Sequence, residues 1–169
     1  MGRPRKKPLE LTDEFMGINP LMANKTIPVR RIRELKEDNE NVVNSSYALL
    51  ETTAYTKLFE GINYKQNMGK LSTRAKELLL YFLYYIPAGK DYMWIDRVAY
   101  MDVNDIKSNN TYLSAVKELC ADPIYIYPHV DLKDVFWINP LIFYKGSRIN
   151  KYSDHLTIKK YIKKEVVNG

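Results

Sequence analysis

Asn109, Asn110, Thr111, Ser114 and Lys117 are the residues whose types and spacing could do chemistry on a partner. All lie within one run, SNNTYLSAVKEL. An Asn side chain offers a donor and an acceptor that match the adenine edge in the major groove, and small or apolar side chains can meet a thymine methyl. Lys107 and Ser108 stand just before them. A helix beginning there would present unpaired N–H groups and partial positive charge, both suited to phosphate. The implied chemistry is contact with duplex DNA. The competing reading is an amphipathic helix packed on a core with its polar face in water.

Covalent and metal chemistry find fewer residues. His129 and His155 form no metal-ligand spacing with each other or with Cys120. The chain has no Gly-rich phosphate loop and no Gly-x-Ser-x-Gly elbow. Asp102 and Asp105 read as polar faces around a turn. Neither catalytic activity nor a cofactor is expected. His129 and Lys133 bracket a turn between two strands, where both could touch a phosphate backbone.

The elements that would position these groups follow from periodicity. Tyr112, Ala115, Val116, Leu119 and Cys120 recur at i, i+3, i+4, i+7 and i+8, one helix face, with Ser108 or Asn109 as N-cap. Upstream, LSTRAKELLLYFLYYI predicts a long helix capped by Ser72, its stripe made by Leu78, Leu79, Phe82, Leu83 and Ile86. Pro87 and Gly89 stop it, and Tyr92 to Asp96 alternates as a strand would. Arg97 to Asn104 predicts a short helix with Val98 and Met101 inward. Two strands joined by DLKD come after the Asn109 helix. The order helix, strand, helix, helix, strand, strand predicts an α+β winged helix-turn-helix domain.

The runs LSTRAKELLLYFLYYI, YMDVNDIKSNNTYLSAVKEL and VFWINPLIFYKGSR resemble the RepL-type replication proteins of plasmids, which have relatives in phages. The residues carrying the resemblance are Ser108, Thr111, Tyr112, Ala115, Glu118 and Leu119, then Trp137, Asn139, Pro140, Phe143 and Gly146. It spans about 100 residues, from roughly Ala48 to Lys151. The resemblance implies sequence-specific binding of double-stranded DNA at a replication origin or operator. The chain departs from many winged helices in placing Leu113 and Ser114, not Arg, on the outward helix face. Asn139-Pro140 also has a structural explanation, a bulge or bend, because Pro cannot donate to a ladder.

The rest of the chain bounds this picture. Its 169 residues, 46% hydrophobic, suffice for one core and hardly two. No apolar run reaches the roughly 18 residues of a membrane span. No signal peptide is visible, and Cys120 reads as a buried thiol in a reducing compartment, so a cytoplasmic location is expected, that of the host cell if a phage or plasmid encodes the chain. The net charge of +6 is unevenly spread: residues 1–8 carry +4, residues 145–169 carry +5, and the 136 residues between carry −3. Residues 1–46 are expected to be a basic arm and mostly flexible linker, residues 47–150 the winged-helix domain, and residues 151–169 a basic amphipathic helix capped by Asp154. Arg3 and Arg5 flank Pro4 in an AT-hook-like arm suited to an A·T-rich minor groove, or to a solvated tail. The C-terminal helix is expected to pack on the domain or form a homodimer in preference to lying on a membrane surface, and no membrane partner is expected. A strand is expected near Tyr55 to Phe59. Because the centre is nearly neutral, a protein-binding role in an assembly and a role in transcription stand beside DNA replication.

Overall fold

A computed structural model of the protein describes residues 10–29, 56–58 and 68–158. In chain order these form α1 (Asp13–Met16), a 3-10 turn (Pro20–Met22), β1 (Ile27–Val29), β2 (Thr56–Leu58) and a second 3-10 turn (Met68–Lys70). Next come α2 (Thr73–Tyr85), β3 (Tyr92–Trp94), α3 (Arg97–Val103), α4 (Asn109–Leu119), β4 (Ile126–Pro128) and β5 (Val135–Ile138). The described chain closes with β6 (Phe143–Lys145), α5 (Arg148–Lys151), a 3-10 turn (Ser153–His155) and β7 (Leu156–Ile158). The class is α+β, as expected.

The helices start where capping chemistry places them. Ser72 Oγ accepts from Ala75 N (3.2 Å) to open α2, and Ala75, Leu78, Leu79 and Phe82 are its buried stripe. The helix ends at Tyr85, one residue before Ile86 turns extended ahead of Pro87. Ser108 Oγ accepts from Asn110 N (3.1 Å) to open α4, which buries Tyr112, Ala115 and Leu119. In α3, capped by Asp96, the fully inward residue is Tyr100, whereas Val98 and Met101, expected inward, are half-buried. The Tyr100 ring meets Tyr81 of α2 at 5.0 Å and Tyr112 of α4 at 6.0 Å. That aromatic junction explains why a segment of modest helix propensity is helical: packing holds it.

β5 is the centre of a three-stranded antiparallel sheet ordered β3–β5–β4, with Tyr92 opposite Trp137 and Ile126 opposite Ile138. Alternation sends Met93, Phe136 and Ile138 into the core shared with α2 and α4, where Phe136 meets Phe82 edge-on at 5.5 Å. Tyr92, Val135 and Trp137 face the other way. Met16, Leu11 and Leu21 cover that second face while Met22 and Ile27 enter the main core, so residues 10–29 are not the flexible linker expected of them. Buried Asn19 fixes the contact by donating from Nδ2 to Ile138 O (2.9 Å) and accepting at Oδ1 from Leu21 N (2.9 Å). Each large apolar side chain so covered contributes about 1.5–3 kcal/mol.

Two further pairings tie down the ends. β2, the strand expected near Tyr55 to Phe59, pairs antiparallel with β6. β1 pairs in parallel with β7, Ile27 opposite Leu156 and Val29 opposite Ile158. This corrects the expected C-terminal helix at its start. Residues 153–155 form a 3-10 turn and residues 156–158 a strand, because a partner strand accepts their backbone groups. Residues 159–169, the rest of that expected helix, lie outside the described residues, as do Arg3 and Arg5 of the basic arm.

Candidate nucleic-acid interface

α4 divides its residues by face. Tyr112, Ala115 and Leu119 are buried, while Asn109, Asn110, Ser114 and Lys117 are exposed. Thr111 is half-buried at the border, and Leu113 stands 50% exposed on the outward side. The side chains of Asn109, Asn110, Ser114 and Lys117 make no hydrogen bond among the described residues. Ser108 differs, since its hydroxyl is occupied as the N-cap. The structure thus brings Ser108 to Lys117 together on one helix, with amide, hydroxyl and ammonium groups turned to solvent.

Lys107, in the preceding turn, is exposed and ion-paired with Asp105 at 2.6 Å. The hydrogen bond and charge of Asp105 push the Lys107 ammonium pKa up, and Lys107 holds the Asp105 carboxyl down. An exposed pair of this kind contributes little to stability and exchanges readily for another anion. Asp105 has a φ of 53°, the left-handed conformation Asp tolerates, which turns the chain from α3 toward α4.

Lys133 is exposed in the loop between β4 and β5, and half-buried His129 shapes that loop. His129 Nδ1 accepts from Asp131 N and Leu132 N, both at 3.1 Å, and its ring stacks on Trp137 at 6.0 Å. With Nδ1 accepting, the ring proton of the neutral tautomer sits on Nε2, a donor.

Two residues have positioning contacts that the sequence did not reveal, although Glu118 is among the residues that carry the family resemblance. Half-buried Glu118, off the apolar stripe of α4, accepts from Ser72 at the start of α2. Arg97, at the start of α3, lies over the Tyr112 ring (5.9 Å) and forms an ion pair with Asp134 (3.9 Å) at the base of the β4–β5 loop. Arg97 therefore joins α3, α4 and the loop in one contact. Burial pushes the Tyr112 phenol pKa up, so this core contact is neutral at the tyrosine.

The segment from Trp137 to Gly146 has a structural account at each of its marked residues. Trp137 and Phe143 are buried. Asn139 donates from Nδ2 to Ile124 O (2.7 Å) and accepts at Oδ1 from Leu141 N (3.1 Å), closing the bend that leads β5 into β6. Pro140 O accepts from buried Arg148 Nη1 (2.9 Å). Gly146, at φ +102°, lies so near Gly89 that a Cβ would stand 3.1 Å from the Gly89 nitrogen.

Among the described residues, no group of three His, Cys, Asp or Glu is placed to hold a metal ion, and no helix is long and apolar enough to cross a membrane. Compared with protein-family models, with curated proteins and with solved structures, the chain matches none.

Proposed function

We propose that this chain is a winged-helix, sequence-specific binder of double-stranded DNA that acts at a replication origin, like the RepL-type initiators it resembles. The reading is supported by the order α2, β3, α3, α4, β4, β5 and by the pairing of β5 with β3, which is how a wing hairpin closes on such a domain. One observation carries it: the polar face of α4 is uncovered while its apolar face anchors in the core. In this account Asn109, Asn110, Thr111, Ser114 and Lys117 enter the major groove. Lys107 and the α4 N-terminus hold phosphate, His129 and Lys133 approach the backbone from the wing, and Arg3 and Arg5 follow an A·T-rich minor groove. The site of action is the cytoplasm of a cell carrying the plasmid or phage.

A second reading has its own observation. Lys107 is held by Asp105, and residues 9–144 carry a charge of −3, so the domain itself attracts phosphate weakly. That balance suits a winged helix that binds protein within an assembly. Recovering bound DNA from cells and sequencing it separates the readings. An initiator returns one enriched site inside a replication origin, a transcriptional regulator returns a promoter, and an assembly protein returns no enriched sequence.

A further inference from the structure

We propose that the groove between α2 and α3 is the surface through which two copies of this chain pair. The groove has a volume of about 530 Å³ and is lined by Leu80, Tyr81 and Tyr85 of α2 and by Tyr100 and Val103 of α3. Its rim is apolar and open: Leu80 is 61% exposed, Tyr84 74%, Tyr85 57% and Val103 85%. The aromatic part is continuous, because the Tyr85 ring lies 4.5 Å from that of Tyr81 and 4.8 Å from that of Tyr84.

Area and charge select the occupant. Taking roughly 200 Å² for a whole Tyr and somewhat less for Leu or Val, the exposed parts of these four side chains amount to roughly 500 Å². That lies in the upper part of the roughly 300–600 Å² range of the largest apolar patch on a monomer, a size that is often functional. It is also the greater part of the roughly 800 Å² each partner buries in a standard interface, leaving a polar rim to supply the rest. Glu77 is the one charged residue lining the groove among the described residues, and Arg74 neutralises it at 3.0 Å. A two-fold contact sets each patch against itself, so a net charge would repel its own copy. This patch has none to repel, and it offers neither the cations that DNA requires nor the charge that a strongly charged peptide requires. Tyrosine is also a residue type enriched at the energetic centre of interfaces.

The inference goes beyond the DNA reading and is measured without DNA. The mass of the full chain is followed by light scattering and sedimentation across the micromolar range, for the wild type and for Tyr84→Lys and Val103→Lys separately. Both positions are exposed, and Lys suits the C-terminal turn of a helix, so circular dichroism is expected to show each variant folded. The wild type should move from 19.8 kDa toward twice that mass as concentration rises. Each Lys enters the interface twice and should raise the dimer dissociation constant by roughly thirtyfold or more. Val130→Lys, on the exposed loop of the sheet, should dimerise as the wild type does. A wild type that stays at 19.8 kDa throughout overturns the proposal, and so does a dimer that either Lys variant leaves intact. Dimerisation with no DNA binding would instead sink the reading of α4 and leave this one standing.

Discussion

Glu118 reaches from α4 to accept hydrogen bonds from both the backbone N–H (2.8 Å) and the hydroxyl (2.6 Å) of Ser72. Ser72 is itself the cap of α2, its hydroxyl accepting from Ala75 N. The carboxylate therefore sits at the positive end of the α2 dipole, and one contact sets how α4 lies across α2. The buried stripe of α4 chooses which face turns inward, while Glu118 fixes the helix at the end remote from Asn110.

Removing that carboxylate should cost about 1–2 kcal/mol, the range for a hydrogen bond to a charged group that is partly screened by water. Urea unfolding of Glu118→Ala should show a lower midpoint at unchanged slope, with Glu118→Gln between it and the wild type. An Ala variant as stable as the wild type would mean the contact fixes nothing.

Asn139→Ala breaks two hydrogen bonds inside the bend between β5 and β6 and should destabilise by about 1–3 kcal/mol. At a temperature where the variant is still folded, its DNA affinity should match the wild type. Lost affinity in a folded variant would return this residue to the binding surface and refute its purely architectural role.

Acid should loosen the N-terminal segment through Asp13. Burial raises its carboxyl, but the hydrogen bonds from Tyr92, Lys151 and Lys90 and the Lys151 charge together outweigh this and hold it at about 2, below the ordinary 3.8. Because the folded value is the lower one, the stabilisation is complete above about pH 4 and is lost as pH falls through 2. The difference in urea midpoint between the wild type and Asp13→Asn should shrink over that window. A difference independent of pH from 5 to 2 would rule the linkage out.

Cys120 packs at the edge of the core, where burial pushes its thiol up to about 11. At pH 8 a disulfide reagent should therefore react with the folded protein at least roughly tenfold more slowly than with the urea-unfolded chain. Equal rates would show that the thiol is open to water.

The sequence was most readable where a single element carries its own signal. Ser72 and Ser108 as caps, and the stripes Leu78-Leu79-Phe82 and Tyr112-Ala115-Leu119, all stand in the fold as expected. What escaped depends on partners distant in the chain. Leu11, Met16 and Leu21 have no helical or strand period, and their burial exists only because the outer face of β5 needs covering. Leu156 to Ile158 fits an apolar helical stripe on paper, yet β1 claims it as a strand. Tyr100 outranked Val98 because Tyr81 and Tyr112 surround it. In the candidate interface the exposed residues of α4 were legible from periodicity. Glu118 was marked by the family resemblance, but its contact with Ser72 was not legible, nor were those of Arg97, since a polar residue that reaches across to another element looks in sequence like any solvated charge.

The most direct measurement is fluorescence anisotropy of the recovered duplex site across a salt series. For Asn110→Ala the account predicts affinity lower by roughly five- to a hundredfold, with the slope of log K against log salt unchanged, as for a lost base contact. Arg3→Ala should instead make the slope shallower by about 0.9, as for a lost phosphate contact. An Asn110→Ala protein that binds the site as tightly as the wild type would contradict the claim that α4 reads DNA.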